Sequence, residues 1–343
     1  MTTATSTATT RGTSGTGVGA DKTGTPGTSA GKTGTPGTSA GKTGTVATRR
    51  KSTAEQRHEN AVGWAMLLPA SILLLLFIGI PVILAFGLAF TNARTISPNP
   101  TRFIGIDNFT RLFSDPTFWY ALRNVAVFAV VVVPVQAGLG LLLAVLINKQ
   151  VRSSVFFRTV YFLPVVTSMV VVSLLWMFIY QNDGMLNQVM AKLTFGHWQA
   201  VDWLNDPRTA MGAIIVMSIW QAVGQHMLIW LSGLQTIPGE LYEAAELDGC
   251  NAWEQFKNVT WPCLRSTRNM ILITITIAAM SLFTQINVMT QGGPRDATTT
   301  VVFEAVRSGF QQQEMGYASA ITLVFFCIIM VITGIQRYLT REK

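Results

Sequence analysis

The chain has 343 residues, 49% of them hydrophobic and 12% charged, with a mean hydropathy of +0.38 and a formal net charge of +8. A water-soluble domain carries charge on about a quarter of its residues, so length alone would allow two soluble domains but composition excludes them. The positive balance does not call for a nucleic-acid partner, because the placement of Lys and Arg along the chain accounts for it.

Residues 1–58 come first. They are low-complexity and almost free of large apolar side chains, and the unit KTGTPGTSAG runs from Lys22 to Gly31 and again from Lys32 to Gly41. Too little apolar surface is available to offset ordering entropy, so this tail is expected to be disordered. Its Gly-Lys-Thr tripeptides invite a phosphate-loop reading. Pro26 and Pro36 stand where that motif needs its first Gly, so no nucleotide site is assigned there.

Six charge-free stretches follow, at 60–93, 124–148, 159–182, 209–239, 269–294 and 315–336. Each is rich in aliphatic residues and reaches the roughly 20 residues a helix needs to cross a bilayer. Backbone amides cannot stay unpaired in lipid, so the stretches are expected to be helical. The predicted fold is therefore an all-α integral membrane protein with six transmembrane helices in a domain covering 59–343. Pro69, Pro81, Pro134 and Pro164 mark kinks or helix starts. The first apolar stretch lies too far from the N-terminus to read as a cleavable signal.

Alternating the loops across the membrane puts 17 Lys and Arg on the side of the N-terminus and 8 on the other. Positive residues gather on the cytoplasmic side. Both termini are therefore expected in the cytoplasm of a multi-pass protein of the cell membrane. Cys250, Cys263 and Cys327 then fall in a cytoplasmic loop and a span, so no disulfide framework is expected. The first two have no matching second pair that would signal a zinc site, and no metal site is assigned. In the external loops, Trp119, Trp198 and Trp203 suit anchoring at the headgroup level or contact with an external partner.

The loop at 236–266 is too polar to span the membrane and carries helix signals. Pro238 suits a first helical turn, and Glu240 and Glu243 lie in that electropositive turn. Gly249 is placed as a left-handed cap. Asn251 and Glu254 form a capping-box pair, and Pro262 is expected to stop the second helix. Two short helices with a sharp bend are predicted.

Here the residues carry a resemblance. Glu243-Ala244-Ala245, then Gly249, Val259 and Pro262, keep the spacing of the EAA loop of ABC importer permeases, with Val259 in place of Ile and Trp261 in place of Leu. Arg158 to Pro164 (RTVYFLP) and the external run Thr290-Gln291-Gly292-Gly293-Pro294 with Thr298-Thr299-Thr300 resemble the carbohydrate branch, nearest its maltose- and glycerol-phosphate-type first permease subunit. The resemblance covers residues 60–343. It implies a type I importer permease fold, in which the loop is a coupling helix docking on an ATPase subunit through Glu243, Ala244, Ala245, Asp248, Gly249 and Pro262. It also implies a second permease subunit, two ATPase subunits and an extracytoplasmic solute-binding protein as partners, in addition to membrane lipid. ATP and magnesium would sit on the ATPase subunits, so this chain would bind no cofactor, carry no catalytic residue and not be an enzyme itself.

A sugar needs hydrogen-bonding groups and aromatic faces in the membrane. Trp220, Gln221 and Gln225 on the fourth stretch and Phe283, Thr284, Gln285 and Asn287 on the fifth could line such a pathway. Hydrogen bonding between helices is the alternative use of the polar ones. Gly292, Gly293 and Pro294 form a tight external turn. His226 stands alone and reads as a packed neutral side chain. A sugar is the first choice of substrate, and a glycerophosphodiester or other small polar solute the second. A secondary transporter, a channel or a membrane enzyme is disfavoured. The stretches hold no Asp, Glu, Lys or Arg, and no charged ring, filter repeat or catalytic motif is present.

Overall fold

The computed structural model describes residues 53–96, 100–148 and 154–340. The expected disorder of residues 1–52 lies outside them. In chain order the helices are α1 (Thr53–Leu74), α2 (Ile80–Leu88), α3 (Asp107–Ser114), α4 (Pro116–Asn148), α5 (Ser154–Val166), α6 (Met169–Ile179), α7 (Met185–Leu193) and α8 (Ala210–Gln235). Then come α9 (Gly239–Leu247), α10 (Ala252–Gln255), α11 (Trp261–Cys263), α12 (Arg265–Met280), α13 (Thr284–Met289), α14 (Val301–Val306) and α15 (Met315–Thr340). Among the described residues the only β pairing is an isolated antiparallel bridge between Thr91 and Phe103.

Among the described residues five helices are long and apolar enough to cross a membrane: Gly63–Leu88, Pro116–Asn148, Ala210–Gln235, Arg265–Met289 and Met315–Thr340. The third charge-free stretch does not form one straight span. It is a pair, Phe156–Val166 and Met169–Ile179, bent by 97° at Thr167 and Ser168. Pro164 lies within α5 just ahead of the break, where its ring cannot continue an unbroken ladder. The fifth stretch is also interrupted: Ser281 to Phe283 separate α12 from α13, and 290–294 is turn rather than helix. The N-terminal boundary differs as well, since α1 begins at Thr53, so the last residues of the expected tail are helical.

Pro69 and Pro134 lie inside α1 and α4, and two further prolines are each preceded by a π-helical turn. Leu75–Gly79 forms a π-helical turn in which the Ile80 amide donates to the Leu75 carbonyl, immediately before Pro81. Phe256–Thr260 does the same, with the Trp261 amide donating to Phe256 immediately before Pro262. The wider turn accommodates the proline that a regular ladder would reject. Pro262 therefore does not stop its helix; the run continues to Cys263 and breaks at Leu264.

α4 and α8 pack along one another at the centre. Gly140 allows the approach, because a Cβ there would meet His226 Cβ at 3.1 Å and the Met227 amide at 3.2 Å. Gln136 donates to the Ser218 carbonyl and Trp230 to the Ala137 carbonyl, both buried. These bonds satisfy polar groups that lipid would leave unpaired. α12 lies against α4, α13 against α6, and α15 against α2, α3 and α12. No residue of 63–88 is buried.

α3 is strongly amphipathic. Ile106, Phe109 and Phe113 form an apolar face running onto α15, and Arg111 reaches α15 separately, over the Tyr317 ring. With Phe103, Trp119 and Tyr120 exposed beside it, it has the character of a helix lying in the membrane interface.

Candidate functional site

The loop after α8 folds as its sequence dictates. Pro238 is extended and serves as the N-cap of α9, so the helix starts one residue after it. Gly249 has φ +81, and the Cys250 amide donates to the Ala245 carbonyl while the Gly249 amide donates to Glu246. This is the double bond pattern of a Schellman cap, which a glycine completes without strain. The Asn251 side chain accepts from the Trp253 and Glu254 amides, and Glu254 accepts from the Asn251 amide. The two helices are locked together by the Tyr242 and Thr260 hydroxyls, 2.9 Å apart.

This frame sorts the predicted contact residues. Glu243, Ala244, Asp248, Gly249 and Pro262 are exposed. Ala245 is buried inside the loop, so its small size serves the loop's own packing. At the tip, Leu247 is 90% and Trp253 70% exposed. Two large apolar groups left in water at a sharp, rigid bend have the character of a docking surface.

On the opposite side, the Gly292–Pro294 turn is held from within. Gly292 has φ +84, and a Cβ there would meet Thr299 Oγ1 at 2.6 Å. Thr298 donates to the Gly293 carbonyl, Thr299 to Gly292 and Thr300 to Leu282. All three threonines are fully buried, so the run Thr298–Thr300 is the internal scaffold of the turn. Asn124 on α4 donates to the carbonyls of Asp296 and Thr299 and ties the turn to the bundle.

Glu304 on α14 is buried beside this turn, 2.6 Å from Arg307 and 3.2 Å from the Ser308 hydroxyl. Burial pushes its carboxyl above the usual carboxylate range, against the pull of Arg307 and Ser308. Glu314 receives both Arg94 (2.9 Å) and Arg111 (2.8 Å), and Tyr317 donates to Asp115 at 2.8 Å. The Glu314 and Tyr317 contacts fasten α3 to the start of α15.

The pathway candidates fall into two groups separated by α6. On α8, Trp220 and Gln225 are exposed and Gln221 half-buried. On and beside α13, Phe283, Thr284 and Gln285 are half-buried and Asn287 exposed. Trp176 of α6 packs beside the first group, its ring 5.6 Å from Trp220 and 5.2 Å from Tyr180. Its indole nitrogen is buried without a partner. Sequence reasoning passed over Trp176 because an aromatic residue in an apolar stretch carries no signal of its own. It also passed over Asn187, which accepts from both the Trp198 and Trp203 indoles and fixes the stacked pair. Those two tryptophans therefore fold the loop instead of standing free. His226 is buried against α4, as expected. No group of three or more metal-ligating side chains occurs among the described residues.

Residues 136–343 match the family described as the inner membrane component of binding-protein-dependent transport systems. The chain belongs to this family. The permease is 38% identical over 278 residues to a probable ABC transporter permease, YurN, of Bacillus subtilis, covering 80% of this chain and 94% of that one. It is 32% identical to the lactose transport system permease LacF of Rhizobium radiobacter, covering 87% and 99%. It is also 32% identical to the diacetylchitobiose uptake permease NgcF of Streptomyces coelicolor, covering 76% and 80%. A crystal structure of a bacterial ABC transporter that imports alginate superposes with a TM-score of 0.74 at 23% identity, over 84% of this chain and 98% of that one. The fold is thus that of type I importer permeases, in a multi-pass membrane protein whose task is transport and not catalysis. As a member of this family it is the membrane component of a transport system that depends on a binding protein.

Proposed function

We propose that this permease pairs with a second permease subunit to form the pathway for a neutral sugar, handed over by an extracytoplasmic binding protein. The observation that carries this reading is the chemistry of the intramembrane faces. Trp220 and Trp176 offer aromatic surfaces, and Gln221, Gln225, Thr284 and Asn287 offer uncharged donors and acceptors. Sugar ring faces pack on aromatic rings, and hydroxyls exchange hydrogen bonds with amides and alcohols. The names of the relatives point the same way, with lactose, diacetylchitobiose and starch degradation products among them. A relative transports sulfoquinovosyl glycerol, but the charge-free stretches here supply no Lys or Arg to receive a charge.

In this reading both termini and the 236–266 loop are cytoplasmic. One of the two ATPase subunits, which carry ATP and magnesium, docks on α9 and on the exposed tip at Leu247 and Trp253. Gly292, Gly293 and Pro294 then face the binding protein. ATP binding biases the complex toward an outward-open state and hydrolysis returns it, with each state stabilised by the ligand that prefers it. The test is affinity purification of the permease from its native membrane, with identification of what accompanies it and of the ligand of the associated binding protein. Recovery of a second permease and an ATPase, with a neutral saccharide on the binding protein, is the expected result. A complex lacking any ATPase would overturn the coupling assignment, and a charged ligand the sugar assignment.

A further inference from the structure

The helical run from Ala252 to Cys263 ends at Leu264, a residue with φ −78 and ψ 4 that belongs to neither neighbouring helix. α12 starts afresh at Arg265 and runs without interruption to Met280, just below the pathway candidates at Phe283–Asn287. A displacement of the docked loop must cross this joint to reach them. The backbone crosses it through two bonds that meet at Leu264, its amide donating to the Thr260 carbonyl at 3.0 Å and its carbonyl accepting from the Arg268 amide at 2.8 Å.

A side-chain bridge crosses it too. The Arg268 guanidinium carbon lies 4.6 Å from the centre of the Trp261 ring. Trp261 is in turn 6.2 Å from Phe256, and Phe256 stacks on Trp253 at 5.7 Å. Four side chains thus form one continuous stack from the loop tip to the foot of α12. Above this foot, α12 is fastened to two other spans. Thr267 occupies the space over Gly233 of α8, where a Cβ would meet its hydroxyl at 2.5 Å, and Asn269 donates to the Thr340 carbonyl of α15.

Trp261 is, with Val259, one of the two positions at which this loop departs from the EAA pattern. Leu would fill the same space, but only an aromatic face attracts a guanidinium. We propose that Trp261 and Arg268 are positioning residues that bridge the Leu264 joint and pass motion of the docked loop to α12. This rests on the coupling reading of the 236–266 loop. Without the bridge the loop swings about Leu264 while α12 stays put, so nucleotide binding and opening of the pathway separate.

The test uses the full complex with its permease, ATPase and binding-protein partners, reconstituted in lipid nanodiscs. Cys250, Cys263 and Cys327 are replaced by Ser, and Ser281→Cys at the far end of α12 is the probe. The rate of its modification by a water-soluble maleimide is read with and without magnesium-ATP and vanadate, and ATP hydrolysis is followed in parallel. With Arg268→Gln or Trp261→Leu the nucleotide-dependent change in rate is expected to shrink about fivefold while hydrolysis continues. Arg268→Lys and Trp261→Phe, which keep a cation and a ring, are expected to retain it. A full response in Trp261→Leu, which keeps the apolar packing, overturns the bridge. So does equal loss in the Lys and Phe variants, which marks a merely structural role. Gly249→Asp separates the two claims. If it abolishes the response and the bridge variants do not, only the bridge falls. If it leaves the response intact, or the parent complex shows none, the coupling reading falls with it.

Discussion

Gly224 shows how much a single position controls. The Tyr161 carbonyl of α5 sits where a Cβ would stand, and a backbone atom cannot step aside as a side-chain tip can. Gly224→Ala is expected to cost about 1–3 kcal/mol through overpacking, read as a lower melting temperature of the detergent-solubilised protein; an unchanged melt would show that α5 is free to shift. Glu304 makes a prediction of another kind. Because burial raises its folded-state pKa, the protonated form is favoured in the folded protein. The stability this contributes is complete below the unfolded value of about 4.3 and is lost as pH rises through the raised value. Melting temperature should therefore fall as pH rises above the unfolded value of about 4.3, with a shallower slope in Glu304→Gln. Parallel slopes in the two proteins would mean that other groups govern the pH response.

At the level of elements, the 236–266 loop was the most legible part of the chain. Pro, Gly and the Asn–Glu pair act through local backbone geometry, which a sequence displays directly. Asn251→Ala removes the acceptor of two amides and is expected to loosen α10 by about 1 kcal/mol. Hydrogen exchange at Trp253 and Glu254 should quicken about fivefold, and unchanged protection would assign the rigidity of the bend to the Tyr242–Thr260 contact instead. The 97° break at Thr167 and Ser168 was not legible, since a charge-free stretch reports apolarity and not direction. Pro164 signalled an irregularity, but the size of the bend depends on what α5 and α6 pack against. Pro262 misled for a related reason: a proline announces a missing amide, and a π-helical turn is a remedy that single-residue preferences do not reveal. The burial of Ala245 was equally hidden, because the face an alanine presents depends on the partner helix.

For the molecule as a whole, the number and placement of apolar stretches followed from one physical fact, the cost of charge in lipid. Side-chain pairings such as Trp261 with Arg268, or Glu314 with two arginines, required the tertiary structure. Sidedness is open to direct test. Cys263 is exposed in the loop and Arg295 in the opposite turn. A membrane-impermeant maleimide applied to intact cells is expected to spare Cys263 until the membrane is permeabilised, and to label an introduced Arg295→Cys at once. The reverse pattern would invert the topology.

The helix at Gly63–Leu88 shows apolar side chains around its whole circumference, with Phe86 against Phe326 of α15 among its few ring contacts. Such a segment gains nearly all its stability from the lipid and little from the later helices. It can settle in the bilayer while the ribosome is still making the rest of the chain. α8 cannot do so on equal terms, because its buried Ser218 and His226 find their packing only once α4 is in place. Order of synthesis and order of assembly therefore coincide: the anchor comes first, and the polar contact of α8 with α4 follows.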